Sequence, residues 1–282
     1  MSRVAAIALL TLREAVRRRL VAAFAAISAG LVGLSAWGFD RLSHSSSLTS
    51  GEVQVSVPQS LVLFMFMFSF VVALSASAIS SPAISAEIES GVLRAVATRP
   101  IRRSEIVLGK WFGLAALLAI YAAVACTLEL AVVDWVSGFA PPDPVAVGAH
   151  LFAEGVVLLT LALALGTRLP ALATGVLGIA LFGAAWLAGV VGALGTSFHV
   201  GALRTAGDVA RYVLPTDGLL HGANYYLEPR SYLARRAAEA IGSKGNPFFA
   251  ASPPPWSYLV FSALWLLVVL GAALVSFERR EL

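Results

Sequence analysis

The sequence predicts an all-α polytopic membrane protein with six transmembrane helices, and three observations carry the prediction. Hydrophobic residues fill 59% of the 282 positions and charged residues 13%. Soluble domains run at about 45 to 50% and about 25%, so the chain has too little polar surface to cover a water-soluble globule. The mean hydropathy is +0.84, and the apolar residues lie in uncharged runs of roughly twenty, enough for a helix to cross a hydrocarbon core about 30 Å thick. Lysine and arginine, finally, gather on alternate sides of those runs, as the positive-inside rule requires.

The spans follow in order. Residues 20–39 form the first, 58–80 the second, 111–133 the third, 147–167 the fourth, 171–194 the fifth and 256–277 the sixth. The first run exceeds the 7 to 15 residues, roughly, of a signal-peptide core, and five spans follow it, so it reads as a retained helix. Arg168 and Pro170 make a tight break between spans four and five, and Trp256 and Tyr258 anchor one edge of span six. Together they make one transmembrane domain, 1–282.

Counting basic residues orients the chain. Thirteen lie on one side: Arg3, Arg13, Arg17, Arg18 and Arg19 before span one, Arg94, Arg99, Arg102, Arg103 and Lys110 between spans two and three, Arg168, then Arg279 and Arg280. Only Arg41 lies in the short loops of the other side, once the long 199–255 connection is set aside. Both termini are therefore cytoplasmic, in a multi-pass protein of the cell membrane.

The connections carry more than polarity. In residues 1–19, Ala5, Leu9, Leu12 and Val16 share a helical face opposite Arg3, Arg13 and Arg17, which predicts an amphipathic helix in the inner headgroup layer. In the cytoplasmic loop 81–110, Ile84, Ile88, Val92 and Ala95 form an apolar stripe while Glu87, Ser90 and Arg94 fall elsewhere, predicting a helix over 84–98. Pro100 ends it, since the preceding Arg99 is disfavoured in helix, and Ser104 with Glu105 opens the next span. An ordinary solvated basic loop is the competing reading. In the outer connection, Leu203, Ala206, Ala210 and Val213 alternate with Arg204, Asp208 and Arg211, and residues 232–241 repeat the arrangement. Two short outer helices are expected there, with Pro215, Gly218 and Gly222 breaking the path between them.

The chemistry available is narrow. Neither G-x-x-x-x-G-K-[S/T] nor a strand-borne G-x-G-x-x-G occurs, so the chain cradles no nucleotide phosphate, is not itself an enzyme and binds no cofactor directly; any ATP belongs to another chain. The small net charge of +4 gives no reason to expect nucleic acid. Cys126 is alone, and His44, His150, His199 and His221 lack metal-ligand spacing. Glu129, near the outer end of span three, and Glu154, near the outer start of span four, are the acids nearest lipid. They read either as residues lining an outer vestibule or path, or as the proton or cation relay of a secondary transporter. A membrane anchor or assembly factor is a third reading.

The stretch Glu87-Ile88-Glu89-Ser90-Gly91-Val92-Leu93-Arg94, followed by Arg99-Pro100-Ile101-Arg102-Arg103 and closing on Gly109-Lys110, resembles the cytoplasmic loop of ABC transporter permeases of the type-2 exporter class. The run 12–19 before span one and Leu214-Pro215-Thr216-Asp217 in the outer connection resemble that class too. The likeness covers essentially the whole chain and is nearest to the nitrous-oxide-reductase maturation permeases. It implies that the loop helix is a coupling element docking on a separate ATP-binding subunit, with Glu87, Glu89, Gly91, Arg94, Arg99 and Pro100 as coupling residues. It also implies two permease copies, identical or related, with two ATP-binding subunits that hold ATP and magnesium. The exported substrate is expected to be amphipathic: a drug, an antibiotic or a lipid-like molecule.

Overall fold

The computed structural model describes residues 2–43, 50–89, 102–229, 233, 248, 250 and 252–280. These hold ten helices and no strand: α1 (Arg3–Val16), α2 (Arg19–Ser43), α3 (Ser50–Ser80), α4 (Pro82–Glu89), α5 (Arg103–Ser137), α6 (Pro144–Gly166), α7 (Ala171–Ser197), α8 (Gly201–Val213), α9 (Thr216–Leu227) and α10 (Trp256–Glu278). Six stretches are long and apolar enough to cross a membrane: Arg19–Leu42, Gln59–Glu89, Arg103–Ser137, Pro144–Gly166, Ala171–Ser197 and Trp256–Glu278. Each coincides with an expected span.

Helix α6 occupies the centre, with α3, α4, α5, α7, α9 and α10 all packed against it, and Val157, Leu158, Leu159, Ala162 and Leu163 along it are fully buried. Helices α2 and α10 are peripheral, and α10 leaves Leu264, Leu267 and Val268 exposed for lipid. Trp37, Trp135, Phe198 and Trp256 are exposed at the same ends of α2, α5, α7 and α10, the girdle that amphipathic rings form at a headgroup layer.

The N-terminal segment is a helix, capped by Ser2, whose hydroxyl accepts from the Ala5 N–H. Its packed face differs from the expected one. Ile7, Ala8, Thr11 and Ala15 meet the inner end of α5, where a Cβ on Gly109 would strike Ile7 and one on Gly113 would strike the Ala8 carbonyl and Thr11. Leu9 and Val16 of the expected stripe are exposed and Leu12 only half-buried. Sequence periodicity marked the Ala5, Leu9, Leu12 and Val16 stripe alone, because the two α5 glycines that select the packed face lie about a hundred residues away.

Helix α4 continues α3 across a kink. Pro82 has no N–H to give the Ala78 carbonyl, and the Ser81 hydroxyl points at that carbonyl instead, at 3.4 Å. The helix thus begins at Pro82, two residues before the expected start, and the remainder of the expected 84–98 helix lies outside the described residues beyond Glu89. Helix α5 begins at Arg103, so the N-cap position is Arg102 and not Ser104. Glu105 closes the end by accepting from the Arg102 N–H at 2.8 Å.

The outer connection folds back into the membrane. Helix α7 reverses at His199, whose φ of 58° places it in the left-handed region, and the Val200 N–H reaches back to the Gly195 carbonyl at 2.9 Å, a Schellman closure. Helix α8 then descends along α7, Gly207 lying against Gly192 and Leu203 against Gly195. At its lower end the Val213 carbonyl accepts from the Trp265 indole at 3.0 Å. Trp265 is nine residues into α10 from Trp256, about 13 Å below the aromatic girdle and near the middle of a core about 30 Å thick. Helix α9 climbs back against α6. The expected first outer helix is thus present as α8, and it dips into the bilayer. The segment from Gly218 to Gly222, expected to be broken, is helical: these glycines admit the Tyr258 ring and the His150 imidazole, with which a Cβ would collide. The second expected helix, 232–241, lies outside the described residues apart from Leu233.

Candidate functional site

At the inner end a buried charge fixes α4 to α5. Lys110, 6% exposed, donates to the Ala83 carbonyl at 2.5 Å and pairs with Glu87 Oε1 at 2.5 Å. An ammonium so far from water is tolerated only when paired and hydrogen-bonded, so the contact works as a strut holding the first turns of α4 in place. The Gly109-Lys110 pair therefore has two jobs in sequence order: the glycine admits α1 and the lysine holds α4. Glu87, expected to offer its charge outward, is turned toward this lysine. Glu89 Oε1 lies 3.4 Å from the Ala171 N–H, a free donor at the positive end of α7. Glu87 thus holds α4 inward, while Glu89 is exposed and touches the start of α7. Gly91, Arg94, Arg99 and Pro100 lie outside the described residues.

The neighbouring inner loops are laced by arginines. Arg103 donates to the Phe277, Glu278 and Arg280 carbonyls at the C-terminal end of α10, Arg168 donates to Ser276, and Arg280 donates to the Thr167 carbonyl. Cations belong at helix C-termini, where unpaired carbonyls concentrate negative charge. The residues that give the positive-inside count therefore also tie the ends of α5, α6 and α10 together.

Toward the outer side, Glu129 and Glu154 are fully buried. Their expected place along a water-lined vestibule is not what is seen, because serines of the preceding spans cover them. Ser35 of α2 donates to Glu129 Oε2 at 2.9 Å, and Ser69 of α3 donates to Glu154 Oε1 at 2.7 Å. The second oxygen of each carboxyl has no hydrogen-bond partner among the described residues. Sequence reasoning missed both serines; the available signal was a hydroxyl in an otherwise apolar span, which needs a partner in lipid. Next to Glu154 lies the turn between α8 and α9, where Arg211 and Asp217 form a 2.7 Å ion pair, His221 Nδ1 is 3.6 Å from the same carboxylate, and the Tyr258 hydroxyl donates to the Arg211 carbonyl. The Leu214-Pro215-Thr216-Asp217 stretch is therefore the apex of the intramembrane hairpin, with Asp217 buried against Gly189 of α7.

The hairpin leaves a groove of about 670 Å³ walled by Leu181, Ala184 and Ala185 of α7, Ala206, Val209 and Val213 of α8, and Trp265 of α10. Its walls are almost wholly hydrocarbon, and the one indole N–H there is already bonded to Val213. Among the described residues no three His, Cys, Asp or Glu side chains stand where they could share a metal ion.

No curated protein matches this chain. The family model of the ABC-2 family transporter proteins matches residues 5–282, spanning the inner strut, the buried acids and the re-entrant hairpin alike, so the chain belongs to that family and is an ABC-type transmembrane permease.

Proposed function

We propose that this permease is half of an ATP-driven exporter, in which two permease copies enclose the path and two separate ATP-binding subunits dock on the cytoplasmic loop that begins with α4. The observation that carries the reading is the Lys110 strut. A nucleotide-driven movement outside the membrane shifts the packing of the spans only through an element rigidly joined to them, and α4 is joined to α5 through Glu87 and set at the start of α7 through Glu89. Arg94, Arg99, Gly91 and Pro100, next in the chain, supply the face that meets the partner; charge pairs there fix register more than they add affinity. The hydrocarbon groove beside α8 favours an amphipathic or lipid-like substrate.

The test is co-purification of the ATP-binding subunit with the permease, together with ATP hydrolysis by the reconstituted complex. Arg94→Glu and Gly91→Leu should insert normally yet release the partner or abolish substrate stimulation. Wild-type association and stimulation in both variants would remove the loop from the coupling role.

A further inference from the structure

We propose that His150 and Glu154 of α6 form a proton-binding relay beneath the re-entrant hairpin, a role separate from the ATP-driven coupling at the inner end. Glu154 Oε2 is buried without a partner, while Oε1 is occupied by the Ser69 hydroxyl. An ionised carboxylate offers about four acceptor positions, and here the protein fills one with a neutral donor. The Arg211 guanidinium at the neighbouring turn is committed to Asp217 at 2.7 Å. At zero exposure the open oxygen is out of reach of a substrate or a hydrated ion, which leaves the proton, with or without a single water, as the occupant the site admits.

One helical turn toward the outer surface, His150 has the complementary arrangement. Its Nδ1 is 2.8 Å from the Ala146 carbonyl; a carbonyl only accepts, so Nδ1 carries the hydrogen and Nε2 presents a lone pair. That Nε2 is also buried and unpartnered among the described residues. Residues at i and i+4 are neighbours on a helix face, and the imidazole is held in place by Gly222, where a side chain would displace it, and by the Tyr226 ring at 5.4 Å. The residue as a whole is half-buried, while its Nε2 lies inside.

Other titratable groups on the elements packed against α6 are Asp217, His221, Tyr225 and Tyr226 on α9, Tyr258 on α10, and Tyr121, Cys126, Glu129 and Asp134 on α5, with Arg103, Glu105, Lys110, Glu87, Glu89 and Glu278 at the inner end. Helix α7 has none, nor has α3 from residue 57 onward. Glu129 shares the arrangement, with Ser35 on one oxygen and the other open, but its helix α5 carries no histidine, and Asp217 is held by Arg211; Glu154 is thus the open carboxyl with a histidine one helical turn away. The step balances simply: a hydronium ion at the outer mouth becomes water as its proton passes, through one water beside the half-buried ring, to the buried His150 Nε2. The imidazolium then passes a proton to Glu154 Oε2, forming an O–H bond and restoring the neutral ring. Loading removes a negative charge beside the Asp217 apex, so the hairpin senses it.

Infrared difference spectroscopy of the permease in lipid nanodiscs, titrated with pH, reads the proton directly and needs no ATP-binding partner, so its failure would leave the coupling reading standing. The expected result is a carboxylic-acid C=O band that titrates in the wild type, is lost in Glu154→Gln, which keeps an acceptor for Ser69, and survives in Glu87→Gln. His150→Gln should retain the band but slow its response to a pH jump by at least tenfold. Independently of any variant's folding, wild-type protein treated with the apolar reagent dicyclohexylcarbodiimide, which attacks protonated carboxyls in lipid, should give a Glu154 adduct whose yield falls as pH rises. A band absent or invariant with pH in the wild type, together with no pH-dependent adduct, would overturn the relay.

Discussion

Lys110 and Glu154 are both buried ionisable groups on long spans, and their surroundings are opposite. Lys110 meets a carboxylate and a carbonyl, each at 2.5 Å; Glu154 meets one serine hydroxyl and keeps an oxygen open. A compensated buried charge is a fastening, because any movement that separates the pair strands two charges. An uncompensated one is a site awaiting an occupant. The inner end of this permease is thus fastened, from the Lys110 strut to the arginines that tie α5, α6 and α10, while the outer half keeps one oxygen of each of two buried carboxyls open beside a re-entrant hairpin.

The largest way to break that contrast is to remove the fastening. Lys110→Met should destabilise the protein by about 3 kcal/mol, the low end for a broken buried pair, since the Glu87 side chain is 30% exposed. Thermal unfolding in detergent checks this, and Lys110→Met with Glu87→Gln should recover part of the loss.

A smaller effect separates packed from open glycines on α7, the helix beside the hairpin. A Cβ at Gly189 would overlap the Asp217 carboxylate, whereas one at Gly183 on the same helix meets nothing within 4 Å. Gly189→Ala should cost about 1 to 3 kcal/mol by overpacking. Gly183→Ala should be neutral or stabilise by up to about 1 kcal/mol through helix propensity. Paired melting curves decide, and equal effects would deny the close fit of α9 on α7.

The smallest change sharpens the outer half. Ser69→Ala and Ser35→Ala each remove one hydrogen bond to a buried carboxyl and should each cost about 1 kcal/mol, read by the same melts. A loss as large as that of Lys110→Met would mean that the serines fasten the acids as firmly as Glu87 fastens the lysine.

The six spans were legible because twenty-residue apolar runs bounded by arginines leave little else for the chain to do, and the helix α8 was legible from its four-residue alternation. What escaped notice depended on distant partners. The face of α1 is chosen by Gly109 and Gly113, the helix through Gly218 and Gly222 by Tyr258 and His150, and the burial of Glu129 and Glu154 by Ser35 and Ser69. Local patterns cannot register such pairings across roughly forty to a hundred residues. Glu87 was legible as a residue of the loop but not its direction, since the lysine that turns it inward closes a motif read as a single phrase.

The central claim, that α4 moves as one body with α5, is tested by exchanging the charges of the strut. In the complex reconstituted with the proposed ATP-binding subunit, Glu87→Lys and Lys110→Glu should each lose most substrate-stimulated ATP hydrolysis, because each places like charges side by side. The double exchange, Glu87→Lys with Lys110→Glu, should restore at least half of the wild-type stimulation. Single variants with wild-type stimulation, or a double variant no better than either single one in a protein that still assembles, would contradict the account.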